Sequence, residues 1–406
     1  MPTTIVERFG SLSATGFGKE PALGTATLPT SYALMTGNGL ELDPGLFSPQ
    51  VQIGQRDLNI FALYGEYKVA GSVTASLAPT NGALAIPAAI GPDASAGNGV
   101  TGSTPTSSTT LSAASTAGAT TVTVTSATGY TVGNYIQVDT NNTVGPTTSE
   151  VRKITTVAAN TLTVDTPLTY AHANGATVAV VTAPFTHTIV QANQLGSLTV
   201  EKDIGGYDSL QFTGGRVNKL GVSVSAGNSE ATMSVDFMAQ AANILDTPST
   251  VTIINENPFS YAETTLSLFG QTGAQPTTAE LSIENGVKDT YTMNQQHTAA
   301  FLTPVTRQVT LKTDVMFASL DDPTWGYYQQ MVNGQEGPLS LTFTHPGTGG
   351  NSVAFTMPRA RIKTYTNAVK MQDVVLTTLE FTAFLDLTAL KTISSTIVSS
   401  SQYLPF

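Results

Sequence analysis

The sequence predicts a mainly β chain: two tandem β-sandwich or β-barrel modules, each with a short helix, plus a small inserted all-β domain. Three observations predict it. Apolar and polar residues alternate at period two over most of the chain, helical patterns are few, and the order of elements occurs twice. Composition agrees, since 40% of the 406 residues are apolar and only 11% are charged, against about 25% charged in an ordinary soluble protein.

In chain order, residues 1–30 lack a clear period and read as an N-terminal arm. The first module takes residues 31–93 and 184–250. It opens with an extended segment from Leu40-Glu41-Leu42-Asp43 to Leu63, followed by an alternating strand at 67–78. A weak helical stretch runs from Gly82 to Gly91, where Pro87 would interrupt a helix. Strands follow near 184–190, 195–203, 209–225 and 230–240. The second module, 251–386, repeats the order. An extended segment runs from Leu281-Ser282-Ile283-Glu284 to Leu302, then a strand at 305–318. The odd positions of that strand, Val305, Arg307, Val309, Leu311, Thr313, Val315 and Phe317, form one mostly apolar face. A helix is expected over 323–333, opened by Pro323, carrying Trp325, Tyr328, Met331 and Val332, and closed by Asn333-Gly334. Strands at 338–345, 352–365 and 373–386 complete the copy. Ala75-Ser76-Leu77 recurs as Ala318-Ser319-Leu320, one residue out of alternation phase. Residues 387–406 read as a C-terminal arm.

Residues 94–183 have no counterpart in the second copy and read as an insertion. A Gly/Ala/Ser/Thr lead-in, uncharged from 94 to 138, precedes short alternating strands such as Thr121-Val122-Thr123-Val124 and Tyr135-Ile136-Gln137-Val138.

The side chains available exclude much chemistry. Cysteine is absent, which removes disulfides, thiolate metal sites and Cys nucleophiles. The net charge of −11 is opposite to that of a groove-filling nucleic-acid binder. Asp139, Asn141, Thr143 and Glu150 have the spacing of a calcium loop. However, Val144 occupies the sixth position, where the sharp turn needs glycine, so a plain loop is the better reading. His172, His187, His297 and His345 are scattered and read as partly exposed residues rather than ligands or bases. Asp321-Asp322 before Pro323 reads as a helix-start carboxylate pair. Gly37-Asn38-Gly39 and Gly214-Gly215 read as turns, not phosphate cradles. Asn141-Asn142-Thr143 is a formal glycosylation acceptor, but the N-terminus has no secretory-signal pattern. Arg359, Arg361 and Lys363 alternate on one strand face, with Lys370 beyond, and read as a subunit contact meeting acidic residues. No catalytic site, cofactor or metal is expected.

Several stretches, taken in order, carry a family resemblance. They are Gly16-Phe17-Gly18-Lys19-Glu20-Pro21 through Thr30, Val69-Ala70-Gly71-Ser72-Val73 leading into Pro79, Ser197-Leu198-Thr199-Val200-Glu201-Lys202-Asp203, Phe212-Thr213-Gly214-Gly215-Arg216-Val217-Asn218-Lys219-Leu220, and a strand pair ending in Val235-Asp236-Phe237. With these, the chain resembles the major tail tube proteins of long-tailed, siphovirus-type bacteriophages. The resemblance implies tail-tube-type modules, no enzyme activity, and rings that stack into the channel for genome delivery. Long hairpins would line a central barrel, here roughly 37–66 and 279–310. Glu41, Asp43, Glu280, Glu284 and Asp289 are then candidates for the lumen or its rims, although these hairpins carry few charges and the lumen is expected to be largely hydroxyl-lined. Duplication implies three chains per pseudo-hexameric ring. The implied partners are the chain itself, a tape measure inside, terminator and distal tail proteins at the ends, and transiting DNA without sequence-specific binding. The implied location is the virion tail, assembled in the host cytoplasm, without membrane insertion.

Two other classes remain open on sequence. One is a different self-assembling β protein, such as a capsid decoration, S-layer or fibre subunit. The other is a carbohydrate-binding β protein, which would call for clustered aromatics where Tyr and Phe here are dispersed.

Overall fold

A computed structural model of the chain describes residues 10–49, 61–92, 101–139 and 150–399, apart from 166, 169, 296, 318, 321, 323, 325, 347–350 and 369–373. The period-two pattern becomes strand almost throughout. The first group is β1 (Thr15–Lys19), β2 (Ser31–Tyr32), β3 (Met35–Asn38), β4 (Glu41–Asp43), β5 (Leu46–Phe47), β6 (Leu63–Tyr64) and β7 (Lys68–Ser76), then the helix α1 (Ala85–Ile90). Next come β8 (Thr101–Thr110), β9 (Thr121–Thr123), β10 (Tyr135–Val138), β11 (Glu150–Ala158), β12 (Thr161–Val164) and β13 (Thr177–Val190). They are followed by β14 (Leu198–Ile204), β15 (Asp208–Ser225), β16 (Thr232–Ala239) and β17 (Ala241–Leu245). The remainder is β18 (Thr264–Leu268), β19 (Pro276–Glu284), β20 (Val287–Tyr291), β21 (Ala299–Pro304), β22 (Gln308–Met316), α2 (Tyr327–Val332), β23 (Glu336–Thr344), β24 (Ser352–Ala368), β25 (Leu376–Ala383) and β26 (Ser394–Ser399). Among the described residues no helix is long and apolar enough to cross a membrane.

Strand pairing repeats between the halves. In the first, β3–β4 pairs with β7, β7 with β16, and β16 with β15. In the second, β19 pairs with β22, β22 with β25, and β25 with β24. The long strands β15 and β24 each enter a second sheet at their N-terminal ends. That sheet is β1–β14–β15–β17 in one half and β18–β23–β24–β26 in the other. The two halves are joined by β15 pairing with β19, which makes one continuous sheet.

Irregularities recur with the pairing. Asn218 in β15 and Lys363 in β24 are each the extra residue of a β-bulge, set against Phe237/Asp236 and Phe381/Glu380 respectively. Thr36 and Thr277 bulge in the first strand of each hairpin, and each Oγ1 donates to the facing carbonyl, of Thr74 or Asp314, at 3.2 Å. A third bulge falls at Thr213-Gly214 and again at Pro358-Arg359. A bulge bends and twists its strand in a defined way. Its recurrence at matched positions makes the duplication visible residue by residue.

The main core draws on both halves: Phe17, Leu40, Phe212, Phe237, Phe259, Leu311, Phe343, Phe355 and Phe381 are all buried in it. A separate cluster, from Leu111, Val122 and Ile136 to Leu162 and Val178, sits within β8–β13 and their loops.

Several expectations change. Residues 15–19 and 394–399 fall inside the segments read as arms, yet they are strands of the repeated scheme. The period of β1 is hidden because Gly16 and Gly18 flank the buried Phe17. A Cβ at either glycine would come within 2.5 Å of Pro29 Cβ or the Leu28 carbonyl. The strand expected near 184–190 begins already at Thr177, as β13, so the 183/184 boundary falls in mid-strand. Pro87 does not interrupt α1, because it lies in the first turn, where its missing N–H has no intrahelical partner to lose. The second helix starts later than expected, at Tyr327, and Pro323 and Trp325 lie outside the described residues. Gly37 and Gly214 sit in strands, Gly214 at a bulge with φ of +67°. The strand expected from Val305 begins at Gln308, and both Val305 and Phe317 are exposed.

Candidate functional site: a polar sheet face and two open edges

The continuous sheet has one apolar and one polar face. In β19, Ala279, Leu281 and Ile283 are buried while Glu280 and Glu284 are exposed. In β22, Val309, Leu311, Thr313 and Val315 are buried while Lys312 is exposed. Cross-strand register then brings opposite charges together. Glu280 is opposite Lys312, which is opposite Glu380. Lys363 Nζ donates to Glu380 Oε1 at 2.7 Å, and this bond, with the Thr364 hydroxyl and Lys312 nearby, holds the Glu380 carboxyl below the usual carboxylate range despite some burial. Lys219 Nζ lies 3.0 Å from Glu284 Oε1. Next to it, burial raises the pKa of Asp236, against the pull of Lys219. Hydroxyls fill the space between, and Asp314 accepts from Thr278 at 3.1 Å and Thr378 at 2.5 Å.

The carboxylates singled out from the sequence divide into two places. Glu41 and Asp43 are exposed in β4, opposite Ala70 and Lys68. Glu280 and Glu284 occupy the equivalent strand of the second half. Asp289 lies elsewhere, in the β20–β21 hairpin, with its Oδ2 3.2 Å from the Tyr291 hydroxyl oxygen. That hairpin leans on the first one: the Tyr291 hydroxyl donates to the Tyr67 carbonyl at 2.9 Å, and His297 stacks on Tyr67 with ring centroids 4.8 Å apart.

The basic stripe meets carboxylates within its own chain. Arg359 pairs with Glu336 at 2.8 Å, which holds the Glu336 carboxyl below its ordinary value. Arg361 is opposite Glu336 in register, and Lys363 reaches Glu380. Lys370 lies outside the described residues.

Two sheet edges remain. Among the described residues, β3–β4 is paired along one side only, by β7. On the side of β24 where β23 lies, pairing stops at Arg361, so among the described residues 362–368 has a strand neighbour only in β25.

The histidine reading needs correcting. His172 and His187 are fully buried rather than partly exposed. His172 Nε2 lies 2.7 Å from Glu150 Oε1, and its Nδ1 is 3.6 Å from Asp139 Oδ2. Glu150 also pairs with Arg152 and accepts the Tyr170 N–H at 3.2 Å. These partners are 20 or more residues apart, except for Arg152, so spacing alone could not find them. Glu150 is therefore the hub of a buried network, and the 140–149 loop between it and Asp139 lies outside the described residues. His345 pairs with Glu263 at 2.8 Å and stacks on Phe259. Asp322 accepts the Thr324 N–H at 2.8 Å in a turn ahead of α2 rather than at its start, and Asp321 lies outside the described residues. Among the described residues no group of three His, Asp or Glu side chains could hold a metal ion. What the arrangement offers is strand edges and a charge-alternating surface suited to contact with large partners.

A sequence model of a family described as phage tail tube protein matches residues 136–383. No curated protein matches the chain.

Proposed function

Because the chain belongs to the phage tail tube protein family, we propose that it is the structural subunit of a siphovirus-type tail tube, assembling with copies of itself into stacked rings that form the channel for genome delivery. The repeated pairing scheme carries this reading. Each half supplies a four-stranded unit of the same order, and the chain already joins two such units edge to edge through β15 and β19. Head-to-tail continuation of that contact closes a ring. Two units per chain then correspond to three chains in a pseudo-sixfold ring.

In this reading residues 31–93 with 184–250 and residues 251–386 are the tube modules, extended by β1 and β26. Residues 94–183 are a surface decoration. The polar sheet face lines the channel, with Glu41, Asp43, Glu280 and Glu284 on it and Asp289 at a rim, while Arg359, Arg361 and Lys363 belong to the subunit contact. A face whose lysines are each paired with a carboxylate or set opposite one in register presents no run of cations unaccompanied by negative charge to a phosphate backbone, so DNA passes without being held. The role is structural rather than catalytic. Its partners are further copies, a tape measure inside, terminator and distal proteins at the ends, and transiting DNA. Assembly takes place in the host cytoplasm.

Electron microscopy of the purified protein tests this. Hollow tubes with a regular axial repeat and three chains per ring are expected. Six chains per ring would overturn the duplication argument, and flat sheets or solid fibres would point to another kind of self-assembling β protein.

A further inference from the structure

The internal β15–β19 junction is a worked example of how one module edge receives another. Lys219 is opposite Glu284, Leu220 opposite Ile283, Gly221 opposite Ser282 and Val222 opposite Leu281. Leu220 and Ile283 are buried by the contact, and Lys219 and Glu284 form an ion pair at 3.0 Å on the polar face.

Matched bulges carry this register to the two outer edges. The Asn218 and Lys363 bulges equate β15 with β24, so Lys219 corresponds to Thr364, Leu220 to Tyr365 and Gly221 to Thr366. The Thr36 and Thr277 bulges and the pairing with β7 and β22 equate β3–β4 with β19. Asp43 then corresponds to Glu284, Leu42 to Ile283 and Glu41 to Ser282.

We propose that residues 362–368 of β24 in one protomer pair antiparallel with β3–β4 of the next in the register of the β15–β19 junction, setting Asp43 against Thr364, Leu42 against Tyr365 and Glu41 against Thr366. The partner is a second copy of this chain. The inference rests on the tail tube reading and adds the strand edges, the register and the residues in contact.

The edges suit one another chemically. Leu42 is 41% exposed, although its counterpart Ile283 is buried, and an incoming Tyr365 covers it. One edge presents the exposed carboxylates of Glu41 and Asp43, and the other presents exposed Arg361 and Lys363. Lys363 and Thr364 both touch Glu380 and therefore share the polar face, which puts Lys363 next to the position that Lys219 takes in the internal junction. The Asn367 side-chain oxygen is buried with no hydrogen-bond partner, and it falls opposite Leu40 in this register. At Leu40, backbone groups that a strand would use are held by side chains: Lys202 Nζ donates to its carbonyl at 3.2 Å, and Asn38 Oδ1 accepts from its N–H at 2.9 Å. An incoming strand exchanges these for ladder bonds. Two unlike edges that meet give a heterologous contact that propagates around a ring and removes the exposed strand edge of the lone chain.

Zero-length carbodiimide coupling on the unmodified protein tests the inference, with mixed light- and heavy-nitrogen chains to separate contacts between chains from those within one. In assembled rings an Asp43–Lys363 cross-link joining light to heavy chains is expected, with Lys219–Glu284 as the internal control. The same sample on a denaturing gel should shift to two and three chain masses. A second arm uses the absence of native cysteine. Glu41→Cys with Thr366→Cys should give disulfide-linked chains in assembled material, as Gly221→Cys with Ser282→Cys should link within one chain. Rings in which both internal controls couple while Asp43–Lys363 and the 41/366 pair do not would overturn the junction and leave the tube reading standing. Absence of rings or tubes from the unmodified protein would overturn the tube reading itself.

Discussion

Gly71 faces its neighbour so closely that a Cβ there would lie 2.2 Å from the Gly39 carbonyl oxygen and 2.6 Å from Leu40 Cα. Its counterpart across the duplication is Leu311, which pairs with Leu281. The two hairpins thus reach similar pairing by different means, a large side chain in one and an absent one in the other. Gly71→Ala has to push β4 away from β7. The expected cost is about 1–3 kcal/mol, as for other overpacked positions, and the displaced strand is the proposed docking edge. A denaturation midpoint below that of the parent, together with fewer rings at equal protein concentration, is the expected outcome. Unchanged ring yield would separate this glycine from the edge.

At the level of single elements, α1 shows how the second half holds the first. Asn285, in the break between β19 and β20, donates from Nδ2 to the Ala89 carbonyl at 3.0 Å and to the Val217 carbonyl at 3.1 Å. Arg307 donates to the Ile90 and Ala192 carbonyls at 3.1 and 2.9 Å, and its desolvation lowers its pKa from the usual arginine value. The last carbonyls of a helix have no intrahelical partner, and here they are satisfied from a hairpin far along the chain. Asn285→Ala leaves two buried acceptors without their donor, and a loss of about 1–3 kcal/mol is expected. Urea denaturation would read this as a lower midpoint with an unchanged slope, and an unmoved midpoint would contradict it. The strands themselves are legible because burial on one face writes itself into alternation, as in Val309, Leu311 and Val315. The Asn285 contacts are not legible, since its partners lie 196 and 68 positions away. Bulges escape for a different reason: the extra residue Lys363 keeps the exposed face of Arg361 but resets the phase, so that from Thr364 onward the even positions take that face.

Over the whole molecule, duplication is legible as an order of elements, because paired strands must recur in sequence before they can recur in space. The opposed edges follow from pairing alone, and neither Glu41 nor Lys363 signals its place in the sheet by spacing. The insertion is legible from its missing charges, yet its join is not, because β13 belongs to both parts. Its first residues, Val178 and Val180, lie in the separate cluster, and Ile189 lies in the main one. Leu162→Ala removes a fully buried side chain from the separate cluster only, at an expected cost of about 2–5 kcal/mol. Calorimetry should show an earlier melting event while rings still form, and loss of rings would show that the decoration supports the tube. The continuous β13 also has a mechanical meaning. Phe185 to Val190 pair in sequence with Ser399 to Ser394 of β26. In the proposed tube, drag along β13 from residues 94–183 would therefore load six residue pairs in shear, all at once. A flexible tether would swing freely under the same force; this strand would pass it straight into the wall of the proposed tube.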